Sequence, residues 1–466
     1  MKEPTPMRYD IVRTVSCRAR PWFAALAVAP IVVAGGVPGA LAQTAPAAPA
    51  VVTPAPAAPA AAAPAAPAAP PMLPADAWTS TIKFNLQIEG GVVVDTNSPS
   101  NGVNFGQLYT DGSNTFQLNQ ALVTVQRPTD PKVPYDVGFI VQGMYGTDAR
   151  YLHYVGVLDQ STNMRYQPAL IQANVQMHTP WFFDGGVDLK AGMYVSPVGA
   201  ESIDPSLNPF YSHSYIYNFG IPSLATGAMA IAHVNDMIDV YLDVDTGVNT
   251  TLGPYTGDNN SSVAGLAGLN LTLLGGNLTI LTLTHIGPEN PGRTVPEANR
   301  YYRYIADSVI TWKTTPKLTL TTELDYIHDD NPNVGRPTAW GIAQYASYAL
   351  TDELTLNGRA EFFDDKNGFF VGAFPGNQDF AIVQAGYLQP NSSYGTGQGT
   401  DYGEITLGVT YKPTGLPAPI AGLLIRPEVR YDRTLDGVKA FNSPGITGGG
   451  KANGVFTLAA DFVLQF

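Results

Sequence analysis

The chain has 466 residues, a formal net charge of −13, 14% charged residues, 47 glycines, 24 tyrosines and one cysteine. That charge density is low against the roughly 25% of a soluble domain, and the acidic balance excludes nucleic acid as the main partner. Past the N-terminal segment there is no apolar run of about 18 residues, which excludes a helical membrane protein but not a β-barrel, whose alternating strands average to neutral hydropathy.

Residues 1–42 read as a secretory signal peptide. Arg8, Arg13, Arg18 and Arg20 precede an apolar stretch from Trp22 to Leu41, and Ala40-Leu41-Ala42 supplies a small-residue cleavage site. Pro30 and the Gly35-Gly36 pair interrupt the apolar run and disfavour a permanent anchor. Cys17, the one cysteine, falls in the removed part, so the mature chain has no thiol for a disulfide, a metal or nucleophilic attack. Residues 43–77 are almost entirely Ala and Pro and read as a disordered tether. Proline lacks the N–H a helix needs and favours extended polyproline II, about 3.1 Å per residue.

From Trp78 to Phe466 the signal is period two. Ile82, Phe84, Leu86 and Ile88 alternate with Lys83, Asn85, Gln87 and Glu89; Ile171, Ala173, Val175 and Met177 alternate with Gln172, Asn174, Gln176 and His178. Ile238, Val240, Leu242 and Val244 alternate with Asp239, Tyr241, Asp243 and Asp245. Successive strand side chains point to opposite faces, so each segment has one apolar and one polar face. Sixteen strands are expected, starting near 80, 115, 135, 167, 186, 223, 237, 262, 277, 302, 317, 338, 353, 402, 421 and 454. Eight long links, among them 96–114, 197–222 and 366–401, alternate with seven short turns such as Asn235-Asp236 and Thr351-Asp352. This predicts an all-β, 16-stranded antiparallel up-and-down transmembrane barrel over 78–466, with short periplasmic turns and long outer loops.

Closure pairs every backbone group, as lipid demands. The apolar faces carry almost no charge, whereas a soluble sandwich would place charge outward. Trp181-Phe182-Phe183 and Trp312 stand beside short turns, as an interfacial aromatic girdle would. The chain closes on an amphipathic strand in which Phe462, Leu464 and the terminal Phe466 form the barrel-insertion signal that assembly machinery reads.

Several segments are similar to the OmpL-like outer-membrane β-barrel porin family: Leu118-Asn119-Gln120-Ala121 followed by Arg127-Pro128; Tyr145-Gly146-Thr147-Asp148-Ala149-Arg150; Asn208-Pro209-Phe210-Tyr211-Ser212-His213-Ser214-Tyr215; and Asn218-Phe219-Gly220. Arg359-Ala360-Glu361-Phe362-Phe363-Asp364 and Arg426-Pro427-Glu428-Val429-Arg430-Tyr431-Asp432 share its style. The resemblance implies a bacterial outer-membrane channel for small solutes without fixing which solute passes. The Ala/Pro tether departs from the family pattern.

Polar-face residues are expected to line the pore: Lys83, Glu89, Asp188, Lys190, Asp243, Arg303, Asp307, Glu323, Arg359, Glu361, Arg426, Glu428, Arg430 and Asp432. With Asp239, Asp245, Asp325, Glu404, Asp461 and Lys412 added, carboxylates outnumber cations and predict a modest cation preference. The opposing reading is that the charges pair across strands and stiffen the wall. The third long loop, 197–222, is expected to fold inward as a constriction carrying Glu201, Asp204, Tyr211, His213 and Tyr215, with Glu201 and Asp204 facing Arg359, Arg426 and Arg430. No catalytic constellation, cofactor or metal motif is apparent: the six histidines are scattered, and Gly395, Gly397 and Gly399 lack a following helix. The expected partners are outer-membrane lipid, the assembly machinery, small polar solutes and ions, and further copies in a homotrimer. The expected function is passive diffusion through a water-filled pore, with a plugged structural or adhesive barrel as its rival.

Overall fold

Period-two alternation becomes strand in the computed structural model, which describes residues 78–159, 165–253, 257–332, 335–371, 399–442 and 450–466. The signal segment 1–42 and the tether 43–77 lie outside the described residues, as do Gly395 and Gly397. The strands are β1 Lys83–Asp95, β2 Thr115–Arg127, β3 Asp136–Gly146, β4 Gln167–Thr179, β5 Val187–Val195, β6 Leu224–Asn235, β7 Ile238–Asp245 and β8 Ala264–Leu273. They continue as β9 Leu278–Pro288, β10 Tyr302–Lys313, β11 Leu318–Asp329, β12 Thr338–Ala349, β13 Leu354–Asp365, β14 Thr400–Tyr411, β15 Gly422–Thr434 and β16 Gly454–Gln465. Each pairs antiparallel with its successor, and β16 closes on β1 from Gln87↔Gln465 to Asp95↔Thr457. The result is a closed sixteen-stranded meander.

Burial is inverted relative to a soluble protein. On β15, Arg426, Glu428, Arg430 and Asp432 are buried while Ile425, Val429 and Tyr431 between them are exposed. The same holds on β1 and β14, where Phe84, Ile405 and Leu407 face out and Glu89 and Glu404 face in. Water-soluble burial would reverse this, so the outer face is made for hydrocarbon. Trp181, Phe182 and Trp312 are 40%, 87% and 48% exposed, which rules out packing in a core as their role. On β16, Phe462 and Leu464 take the outward face, opposite buried Asp461 and Val463, and the Phe466 N–H donates to Leu86 O at 2.9 Å.

One facial assignment needs correction. Gln142 of β3 pairs with Gln172, but the next residue, Gly143, pairs with Leu170, leaving Ile171 as an extra residue in a β-bulge. The bulge turns Ile171 inward, where it is fully buried, instead of outward with Ala173, Val175 and Met177. Tyr154 of the second outer loop donates from its hydroxyl to Ile171 O at 3.1 Å, occupying the kink.

Outer loops pack into the barrel end from which they rise. Phe105 and Tyr109 (first loop), Tyr151 and Tyr154 (second), Phe210, Tyr215 and Phe219 (third) and Phe441 (eighth) join wall residues Phe363 and Tyr402 in one apolar cluster.

Candidate functional site: the lumen and its third loop

The third loop leaves β5 at Val195, crosses the lumen and returns to β6 at Leu224. It is stiffened before it touches the wall. Asp204 caps the short turn Pro205–Leu207 by accepting from Ser206 N at 2.9 Å. Asn208 closes a reciprocal pair with Ser202, accepting its N–H at 2.8 Å and donating to its carbonyl at 2.7 Å. Further on, a π-type turn at Ile216–Gly220 keeps Tyr215, Tyr217 and Phe219 together.

The far wall holds this loop by charge. Glu428 of β15 accepts the N–H of Tyr211 at 2.9 Å, and Glu361 of β13 accepts those of Tyr215 at 2.7 Å and Ile216 at 2.8 Å. Arg426 donates to Pro205 O at 2.7 Å and Asn208 O at 2.9 Å; Arg430 donates to His213 O at 2.6 Å. Arg359 bridges Glu201 at 2.9 Å and Ser212 O at 2.8 Å. Tyr211 Oη donates to Asn119 Oδ1 at 2.7 Å and Tyr215 Oη to Asp432 at 3.0 Å. Carboxylates on backbone N–H groups and guanidinium on carbonyls are the stronger class of hydrogen bond, and here they are buried. Burial acts to raise the Glu201 carboxyl, but the guanidinium of Arg359 and the imidazole of His213 outweigh it and hold the group down at about 2. Burial pushes the phenols of Tyr211, Tyr215 and Tyr217 well above their usual value, so they act as neutral donors.

Two sequence expectations change. Arg359, Glu361, Arg426, Glu428, Arg430 and Asp432 point inward as expected, but they lie beneath the third loop and do not bathe in open lumen. Each arginine also has a carboxylate partner of its own: Arg359 with Glu404, Arg426 with Asp461 and Glu89, Arg430 with Asp432, and Arg303 with Asp329 at 2.8 Å. A guanidinium buried without a counter-charge would be very costly. Asp204 does not oppose these arginines; its carboxylate takes Gln87 Nε2 of β1 at 2.9 Å and the capping bonds. The loop faces Arg426 with carbonyl oxygens instead.

The opposite wall carries charge of its own, buried at Asp243 and open to water at Asp188. Lys190 of β5 stands 5.7 Å over the Tyr194 ring, and Tyr194 Oη donates to Asp243 of β7 at 2.6 Å. Asp188 touches two histidines, His178 at 2.6 Å and His233 at 3.2 Å. Between these walls, Asp307 of β10 sits directly opposite Asp325 of β11, and Glu323 accepts Ala200 N from the loop root at 2.8 Å. Lys83 is exposed at the barrel mouth. Among the described residues no three His, Cys, Asp or Glu converge to hold a metal ion.

Two cavities open under the third loop. One of about 470 Å³ is lined by the amides of Gln87, Gln126, Gln142 and Gln172 with Thr124 and Asp204. A second, about 280 Å³, lies between Asn208, Pro209, Tyr345, Asn357, Thr410 and Lys412. Sequence reading missed the histidines: His178 and His233 touch aspartates of neighbouring strands, and His285 of β9 reaches past β8 to Asp245 of β7 at 3.0 Å. Counting outward from the β4–β5 turn would have placed His178 opposite Asp188.

Residues 81–466 match the family described as "Putative beta-barrel porin-2, OmpL-like". No curated protein sequence matches the chain. Among solved structures, the anion-selective porin of Comamonas acidovorans matches with a TM-score of 0.51 at 10% identity, over 83% of this chain and 99% of that one. OmpT of Vibrio cholerae in its trimer form gives 0.49 at 10% identity, over 83% and 99%. The DcaP channel of Acinetobacter baumannii gives 0.46 at 11%, over 83% and 97%. Identities this low bear on the fold alone.

Proposed function

The chain belongs to the OmpL-like β-barrel porin-2 family, and from that premise we propose that it passes small hydrophilic solutes and ions by passive diffusion, with a modest cation preference. The observation that carries this reading is the third loop. It is latched across the lumen by Arg359, Glu361, Arg426, Glu428 and Arg430 at a fixed height, and polar cavities lie beneath it. A rigid inward loop narrows a wide barrel without closing it, which sixteen strands make room for. Because every arginine on the latching wall has its own carboxylate, the water-exposed carboxylates left over, Asp188 and Asp239, set the sign of the lumen. The Comamonas porin is anion-selective; this chain is read with the opposite preference on its own side chains.

Deleting residues 201–217 tests the constriction in planar bilayers. Single-channel conductance should rise, and unchanged conductance would remove the loop from the permeation path. Reversal potential in a KCl gradient tests the ion preference.

The second reading is a plugged barrel that works through its outer loops. It is favoured by the apolar cluster of Phe105, Tyr109, Tyr154, Phe210 and Phe441 in the outer half of the barrel. A folded, heat-modifiable barrel with no conductance would select it. Export through a cleaved signal peptide at Ala42 and assembly as a homotrimer complete the proposal.

A further inference from the structure

On the wall that the third loop leaves free, five inward side chains form one hydrogen-bonded row across five strands. His178 Nδ1 (β4) lies 2.6 Å from Asp188 Oδ1 (β5). The other oxygen of Asp188 lies 3.2 Å from His233 Nε2 (β6), and His233 Nδ1 lies 2.7 Å from Asp239 Oδ1 (β7). Asn270 (β8) donates to Asp239 Oδ2 at 3.1 Å. Strand register builds the row, since His178↔Asp188, His233↔Asp239 and Asp239↔Asn270 are direct cross-strand partners. It sits at the short-turn end, the periplasmic mouth in barrels of this kind. Asp188, His233 and Asp239 keep 37%, 31% and 25% of their side chains exposed, so the row meets water.

The turn between β4 and β5 is shaped to admit it. A methyl group on Gly185 would stand 2.6 Å from His233 Cβ. Gly186, at φ +74°, would place one 3.0 Å from the His178 ring. Both glycines let the turn lie against the two imidazoles.

We propose that this row sets the ion preference of the channel, and that protons tune it. The inference rests on the channel reading above. Imidazole is the side chain whose charge changes between pH 5 and 8. With both histidines neutral the row presents two carboxylates uncompensated within it; with both protonated the row is neutral. Other charges flank it. Asp184 and Asp236 are exposed in the β4–β5 and β6–β7 turns. From β3, Asp136 stands opposite His178 and is already paired with Arg127 at 2.8 Å. From β5 and β7, Lys190 and Asp243 lie one layer further in. On the adjoining strands β1–β4 the cavity wall is amide, Gln87, Gln126, Gln142 and Gln172, with Asp204 of the third loop among them; Lys83 stands exposed at the start of β1, and Lys412 follows β14 on the far side. Fixed charge on the wall of a mouth controls which ion is concentrated within about 10 Å of it, the screening length at 0.1 M salt.

The test is the reversal potential of the full mature chain in a KCl gradient at pH 5 and pH 8, for wild type, H178N/H233N and D239N. In wild type the potassium-to-chloride permeability ratio should rise on the order of threefold from pH 5 to pH 8. The double histidine variant should lose that step. D239N keeps both imidazoles and should lower the ratio at pH 8. Current whose ion preference ignores pH, or a full step in the double variant, overturns this inference and leaves the channel reading intact. A folded barrel without current at either pH overturns both. Heat-modifiable migration establishes that each variant is folded, and histidine NMR in micelles gives an independent readout. The His178 and His233 ring signals should respond to pH together with the permeability ratio, and D188N should alter both; two silent imidazoles would count against the proposal.

Discussion

Arg359 of β13 and Glu201 of the third loop, 158 positions apart in the chain, meet at 2.9 Å. Both are buried, and the same guanidinium reaches Glu404 on the neighbouring strand and Ser212 O in the loop. One wall side chain thus ties strand to strand and strand to loop. The position of the loop is written into the wall and not into the loop alone.

Glu201→Gln keeps the shape of this contact and removes its charge. Hydrogen bonds to charged groups contribute about 1.5–3 kcal/mol, and Arg359 retains Glu404, so a loss near the middle of that range is expected. Arg359→Ala strands two buried carboxylates and should cost more, about 3–5 kcal/mol. The temperature at which the heat-modifiable band disappears ranks the two. Equal midpoints would mean that the bridge to the loop adds nothing to the wall pair.

Acid should release the loop. The Glu201 carboxyl, about 2 in the fold, lies below its ordinary value near 4.5. A depressed acid stabilises the fold above its unfolded value, and the contribution is lost as pH falls through the folded value. The latch should therefore hold at pH 4 and above and weaken between about 4 and 2. Pepsin is active across that range and cuts at aromatic residues. Cleavage within 201–217 is expected at pH 2 and not at pH 4; equal cleavage at both would refute the acid release.

Strands were legible because two periodicities agreed: apolar residues every second position and turn residues at alternating long and short intervals. All sixteen begin within three residues of the positions expected. The bulge at Ile171 was not legible, since one inserted residue reverses the facing of what precedes it without disturbing the alternation on either side. Partner choice was also hidden. Asp204 and Glu201 are three residues apart with the same charge, yet one caps a turn and the other binds Arg359. That difference comes from where the loop backbone turns. The His178–Asp188–His233–Asp239 row needed register across four strands, which sequence spacing alone does not display.

Asp307 and Asp325 face each other directly across β10 and β11, both buried. Neither Asp325 oxygen has a hydrogen-bond partner among the described residues, nor does Asp307 Oδ2. Like charges directly opposite are destabilising. Asp325→Asn ends the pairing of two acids at constant shape and supplies a donor to the other carboxyl group. The unfolding midpoint should rise by roughly 2–4 °C for each kcal/mol gained. A lowered midpoint would show that the paired acids support the loop root.

The exposed tryptophans place the bilayer. Trp181 stands in the β4–β5 turn and Trp312 near the end of β10, both at the short-turn rim. Trp340 stands near the start of β12 at the long-loop rim, its Nε1 donating to Asp364 at 2.9 Å. Indoles favour the interface because the ring is apolar and the N–H needs a polar partner. The two rims should therefore bracket the apolar band, about 25 Å tall in such barrels. Single-tryptophan variants retaining Trp181, Trp312 or Trp340, reconstituted in lipids brominated near the headgroup or near the chain end, measure this directly. Shallow bromine should quench all three more strongly than deep bromine. Stronger quenching of Trp181 or Trp312 by deep bromine would shift the band toward the turns. Such a shift would also draw the His178–Asp239 row below the membrane surface, changing the dielectric in which its charges act.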